Sequence, residues 1–304
     1  MSTNLATTEK LKFKEKNHKN LVGILFLLPT IILMGLFKYI PIGLGMFASF
    51  FDLKPLYDIP GSFVGFENYV RAFTNPDVYY ALWVNVKMGL YSTLMTFWPP
   101  ILCAVLINEI RGKKQAFYRL MYFIPAVTPS VAGSILWKFI WKPEAYGLAN
   151  VLIKNLGLTQ QGWLTDPDLV FFCMNFPGLI IVGGMNMVIF LSALQNVSQE
   201  LYEAAVLDGA GIIKRVRYIT LPTIKDTIGT MYILAMIGFF NACEAPMLLT
   251  GGGPGKETTP VLLHAYKAAT SGNADYAYAV TIATVVFFLV LILTALVQRI
   301  SRKD

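Results

Sequence analysis

The stretch that decides the reading runs Leu201-Tyr202-Glu203-Ala204-Ala205-Val206-Leu207-Asp208-Gly209-Ala210-Gly211, then on from Ile212 to Tyr218-Ile219-Thr220-Leu221-Pro222. It is a polar segment set between two strongly apolar ones. Gln199 to Asp208 holds good helix formers and no breaker. Ser198 is placed to cap the helix N-terminus, and Glu200 falls in its first turn, where a carboxylate suits the dipole. Gly209 stands just past the C-terminus, where a left-handed residue is wanted. Ala204, Ala205, Gly209, Ala210 and Gly211 are small, so another surface can come close to the backbone. Lys214, Arg215 and Arg217 follow, as expected of a cytoplasmic segment.

Composition puts the flanks of this segment in a membrane. Of 304 residues, 55% are hydrophobic and only 14% charged, against about 25% charged in a soluble domain. Apolar runs of about 20 residues, the length that crosses a bilayer as a helix, lie near 21–40, 84–107, 120–140, 169–194, 228–249 and 278–297. The expected fold is all-α: a polytopic helical bundle with six transmembrane helices. Pro29, Pro99, Pro100, Pro125, Pro129, Pro177 and Pro246 fall within or beside these runs, where neighbouring helices can satisfy a kinked backbone. The first run follows a basic start. It is long for a signal peptide and lacks a clear small-x-small cleavage site, so it reads as an uncleaved span.

Orientation follows from the basic residues. With both termini inside, the cytoplasmic segments hold Lys10, Lys12, Lys14, Lys16 and Lys19, then Arg111, Lys113, Lys114 and Arg119, then Lys214, Arg215, Arg217 and Lys225, and finally Arg299, Arg302 and Lys303. Most of the 25 lysines and arginines lie there. The net charge of +7 is therefore a topology signal and not a nucleic-acid footprint. Lys38, Lys87 and Lys138 sit near outer span ends, where they can snorkel. Residues 1–20 read as a basic cytoplasmic tail, 21–300 as one transmembrane domain with its loop at 198–222, and 301–304 as a second tail.

Within the outer loop 42–83, Phe66, Tyr69, Val70 and Phe73 recur at helical spacing, which predicts a helix on the outer membrane surface. Trp137 and Trp141 suit an interfacial belt at the outer end of the third span. Cys103, Cys173 and Cys243 lie in apolar runs and read as packing residues. With His18 and His264 the only histidines, no metal-ligand cluster can be assembled around them. Gly251-Gly252-Gly253-Pro254-Gly255-Lys256-Glu257 imitates a phosphate loop, but Thr250 and Glu257 stand where the pattern needs glycine and Ser or Thr. It reads as a turn closing the fifth span. No cofactor is expected on this chain, and no residue for covalent catalysis.

Polar groups inside spans are expensive and default to functional candidates. Asn186 lies in the fourth run, and Asn241 and Glu244 lie in the fifth at a three-residue spacing that puts them on one helix face. Amides and carboxylates of this kind hydrogen-bond hydroxyls, while Tyr91 and Trp137 offer flat aromatic faces. The alternative role for each is a helix–helix hydrogen bond or plain packing.

The 201–222 stretch resembles the EAA loop of ABC importer permeases: Glu203-Ala204-Ala205, three residues, Gly209, then Ile219-Thr220-Leu221-Pro222. Tyr202, Asp208 and Ala210 resemble the carbohydrate branch. Gly65-Phe66-Glu67-Asn68-Tyr69, Phe123-Ile124-Pro125-Ala126, Gly147 with Asn150, and Thr250 to Pro254 resemble further motifs of that sugar-type family. Ile180 departs from it where a tryptophan is common. The resemblance implies a permease subunit of an ATP-driven sugar or oligosaccharide importer in a bacterial-type cell membrane. It implies that Glu203, Ala204, Ala205, Asp208, Gly209 and Ala210 dock on a separate ATPase, and that Gly183 and Gly184 line the path with Asn186, Asn241 and Glu244. It also implies a second related permease, two ATPase subunits holding ATP and Mg, and an extracytoplasmic sugar-binding protein. The rival reading is an ion-coupled secondary carrier working alone, with Glu244 as its ion site; a third is a membrane scaffold without transport.

Overall fold

The computed structural model describes residues 23–53, 61–110, 112–181, 183–272 and 274–301. The basic tail at 1–20 and the last residues, 302–304, lie outside the described residues. The fold is all-α apart from one two-stranded ribbon. That ribbon pairs β1 (Phe51–Asp52) antiparallel with β2 (Ser62–Phe63), Phe51 opposite Phe63.

Among the described residues three single helices are long and apolar enough to cross a bilayer: α1 (Gly23–Ala48), α3 (Pro76–Glu109) and α14 (Tyr276–Ser301). Two bent pairs meet the same test together. Lys113–Val127 (α4) and Ser130–Ile140 (α5) meet at 89° beside Pro129, and Val170–Ile181 (α7) and Gly184–Gln195 (α8) meet at 48°. The run expected at 228–249 is divided. Helix α12 (Lys225–Phe240) has 16 residues, just short of the ~17 that span a bilayer, and a break at Asn241–Cys243 separates it from α13 (Glu244–Leu249). The proline signals thus mark real discontinuities. Pro129 lies within one break, just before Ser130, and Pro99-Pro100 follows a wide π-helical turn at Thr93–Phe97 inside α3. Wide turns of this kind are known causes of helix bending.

The main core lies where α3 meets α8. Phe97, Ile101, Ala104, Met187, Phe190, Leu191 and Leu194 interlock there with Ile224 and Met231 from the fifth region. The outward faces remain apolar. On the isolated chain Phe26 is 82% exposed and Phe37 78%, which a bilayer or a neighbouring subunit can cover and water cannot.

The end of the bundle that carries the 49–83 segment is held by polar side chains that satisfy backbone groups. Asn68, on α2 (Glu67–Thr74), is buried and donates to the carbonyls of Ser49 (3.0 Å) and Phe51 (2.9 Å). Tyr69 shares a 2.7 Å hydroxyl contact with Ser49. The Asn-Tyr pair therefore fastens the outer loop to the end of α1, while Phe66, Val70 and Phe73 point outward as a surface helix requires. Asn150, on α6 (Leu148–Asn155), donates to the carbonyl of Pro143 at 3.0 Å and accepts from the Trp163 indole at 2.9 Å. Trp137 and Trp141 do not form an interfacial belt. Trp141 is buried against Trp137, Trp163 and Phe176, because the 143–169 segment folds over them. Tyr91 stacks on Phe171 (centroids 5.3 Å, 19°) and serves packing. Lys87 does not snorkel: it meets Glu257 at 2.6 Å, and Tyr80 donates to the same carboxylate. Lys256 pairs with Asp77 at 2.7 Å. The Gly-rich turn is in this way pinned to α3.

Candidate functional site

The 198–222 loop folds as its local signals dictate. Ser198 Oγ accepts from the Glu200 N–H at 3.2 Å and opens α9 (Gln199–Leu207). At the other end Gly209 takes φ +74°, its N–H donates to Val206 O at 3.0 Å, and the Ala210 N–H donates to Ala205 O at 2.9 Å. That pair of bonds closes a helix through a left-handed glycine and turns the chain sharply. Gly211 then leads into α10 (Ile212–Arg215), a π-helical turn at Val216–Thr220, and α11 (Leu221–Thr223).

The loop has two chemically different faces. Tyr202, Val216, Ile219 and Leu221 pack against the main core, and the Tyr202 hydroxyl lies 3.1 Å from Thr220 Oγ1. On the other face Glu203, Ala204, Asp208 and Gly209 are exposed, with Ala205 and Ala210 half-buried. Leu207 is 88% exposed and Ile213 83%. Two large aliphatic side chains are thus held out by a capped, anchored turn, uncovered on the isolated chain.

The in-span candidates are placed differently. Asn241 ends α12 and Glu244 opens α13, so the one-face geometry expected from a continuous helix does not exist. Asn85, buried on α3, satisfies the helix end between them: it donates to Phe239 O at 2.7 Å and accepts from the Val261 N–H at 2.8 Å, while Pro246 lacks the N–H that would continue the ladder. Asn85 was passed over in the sequence; its place in an apolar run was the signal that could have marked it. Asn241 lines a groove of about 690 Å³ with Ile237, Leu262, Phe287 and Thr294. Glu244 faces the other way and accepts a 2.6 Å hydrogen bond from Ser130, the first residue of α5. The breaks in the third and fifth regions therefore meet at Ser130 and Glu244. Irregular backbone at membrane depth is tolerated only where protein or a watery cavity receives it, and here each break is received by the other. Lys138 Nζ donates to Leu248 O at 3.0 Å farther along the same contact.

Asn186 is exposed near the start of α8, and no described cavity gathers it with Asn241 and Glu244. Gly183 and Gly184 have packing reasons of their own. Gly183 takes φ +44°. A Cβ on Gly184 would stand 2.3 Å from Tyr122 O and 3.1 Å from Ala126 Cβ, so only glycine lets α8 touch the chain there. Among the described residues no group of three or more His, Cys, Asp or Glu could hold a metal ion.

An anchored loop between apolar helices, broken spans and an apolar exterior define the chain as a polytopic membrane-protein fold. Residues 97–303 match the binding-protein-dependent transport system inner membrane component family, and the chain belongs to it. It is 34% identical over 281 residues to the probable ABC transporter permease protein YurN of Bacillus subtilis, covering 91% of this chain and 95% of that one. It is 32% identical to the sulfoquinovosyl glycerol transport system permease protein SmoG of Agrobacterium fabrum, covering 93% and 92%. It is 30% identical to the trehalose/maltose transport system permease protein MalF of Thermococcus litoralis, covering 99% of each. The fold matches a chain of a bacterial ABC transporter that imports the acidic polysaccharide alginate, with TM-score 0.82, 24% identity and 96% and 99% of the two chains covered.

Proposed function

We propose that this chain is the membrane-spanning permease subunit of an ATP-driven importer for a sugar or oligosaccharide. The observation that carries it is the capped, anchored loop that leaves Leu207 and Ile213 exposed. The named relatives' saccharide substrates support the cargo class. The partners would be a second related permease, two ATPase subunits that hold ATP and Mg, and an extracytoplasmic sugar-binding protein, with both termini of this chain in the cytoplasm. Glu203 to Ala210 would seat on an ATPase. Closure of the ATPases on ATP would then move the loop and, through the core at Ile219 and Leu221, the broken spans. Saccharide hydroxyls would exchange hydrogen bonds with Glu244 and Ser130, and with Asn241 and Asn186 as the cavity changes its opening. Membership in a binding-protein-dependent family counts against the lone ion-coupled carrier.

Cells carrying the full system should lose uptake of its saccharide when ATP is depleted with the ion gradients clamped. Continued uptake under that condition would return the carrier reading.

A further inference from the structure

Arg215 ends α10, and its guanidinium reaches back to the last residue of α3. Nη2 lies 3.3 Å from Glu109 Oε2, across 106 positions of sequence. The Arg215 side chain is 15% exposed and that of Glu109 37%. Arg215 Nε is buried without a hydrogen-bond partner, so the contact with Glu109 carries much of this cation's compensation. The Arg215 carbonyl accepts from Thr220 Oγ1 at 3.3 Å, and Thr220 Oγ1 also meets Tyr202 of α9. Both limbs of the loop thus converge on Thr220, and from there one ion pair leads out of the loop to α3. A concave surface of about 760 Å³ opens beside it, lined by Asn108, Gln115 and Glu203 among others, so the pair stands at the edge of space into which the loop can move.

We propose that Glu109 and Arg215 form a strut that transmits loop displacement to the second span. The inference rests on the loop's being the ATPase contact and deepens that reading. Apolar packing at Val216 and Ile219 holds the loop near the core but resists sliding poorly, because such contacts are non-directional. An ion pair with one donor–acceptor line resists sliding along that line. Helix α3 then carries the displacement to the π-helical turn at Thr93–Phe97 and to Pro99-Pro100, where it can bend. Arg215 and Glu109 are positioning residues: they touch neither saccharide nor nucleotide.

The native complex, purified whole, provides the test. Cys243 sits half-exposed in the break before Glu244 and reports on the far end of the molecule. Its modification rate by a small thiol reagent, read by peptide mass, is measured with and without Mg-ATP plus vanadate, and trapped vanadate is counted in parallel. The wild-type rate should change on trapping. Glu109→Gln and Arg215→Gln should still trap vanadate while reducing that change about tenfold, within the range that single contacts in coupled networks carry. The reversed pair, Glu109→Arg with Arg215→Glu, should restore most of it. A wild-type response in Glu109→Gln would overturn the strut alone. So would a reversed pair no better than the single variants, or complexes that fail to assemble in all three. A wild-type complex that traps vanadate without any change at Cys243 would overturn the strut together with the coupling reading beneath it.

Discussion

The 198–222 loop and the in-span polar residues were read with the same rules and stand on different footings. The loop's residues are neighbours in sequence and remain neighbours in space: Ser198 caps, Gly209 turns, and the exposed face runs from Glu203 to Ala210. The polar residues of the spans belong together in sequence arithmetic only. Asn241 and Glu244, three apart, are parted by a helix break, while Glu244 and Ser130, 114 apart, touch. A site made by local hydrogen bonding can be read from a linear pattern. A site made where two broken helices abut needs the long-range contact that causes the break.

The largest effect should come from the loop. Gly209→Val forces a β-branched side chain into φ +74°, where the backbone penalty is about 1–2 kcal/mol or more. No neighbouring atom stands within 4 Å of the added Cβ, so the damage is to the turn and not to packing. Uptake should be abolished with membrane insertion intact; normal uptake in that variant would sink the coupling role of the loop. Glu244→Ala should come next, lowering uptake about tenfold with the thermal midpoint of the detergent-solubilised protein unchanged, as a pocket carboxylate facing hydroxyls would. A shifted midpoint with normal uptake would make the Ser130–Glu244 contact a helix fastener instead.

Gly184→Ala sharpens the comparison from the other side. Its Cβ meets the Tyr122 carbonyl, so the variant should lose about 1–3 kcal/mol of stability, seen as a lower thermal midpoint. Asn186→Ala, exposed two residues on, should leave that midpoint in place. Equal midpoints for the two would remove the packing account of Gly184.

The smallest effect concerns the Gly-rich turn at 250–260. Hydrogen bonds from Lys87 and then Tyr80 hold the Glu257 carboxyl below its ordinary value of 4.5. Its stabilisation is therefore complete above that value and lost as pH falls through the lower folded value. Protection of the 250–260 amides, relative to their intrinsic exchange rates, should hold at neutral pH and fall only in acid below the ordinary carboxylate range. Glu257→Gln should remove the dependence, and an unchanged acid profile in that variant would assign the titration elsewhere.

Much of the fold was legible because apolar length and local caps are linear signals. Spans one, two and six are single helices, and Pro129 and Pro177 flagged two others that bend or break. In the fifth, Pro246 marked a disturbance but not its place: the helix ends at Phe240, where Asn85, more than 150 positions earlier, takes up the Phe239 carbonyl. Trp137 and Trp141 looked like belt residues because burial by the 143–169 segment leaves no mark in their own spacing. Gly183 and Gly184 entered only through the resemblance, as path-lining residues; the contact that demands a glycine at 184, the Tyr122 carbonyl, lies across chain distance and leaves no local mark.

The central claim, that the loop is the seat of an ATPase, is tested most directly by mild-detergent purification of the tagged chain from its native host with every companion identified. The account predicts an ABC-type ATPase and a second permease with its own loop of this kind in stoichiometric amounts, and loss of the ATPase alone from a Gly209→Val preparation. A chain that purifies alone, or only with copies of itself, and transports without ATP would contradict it.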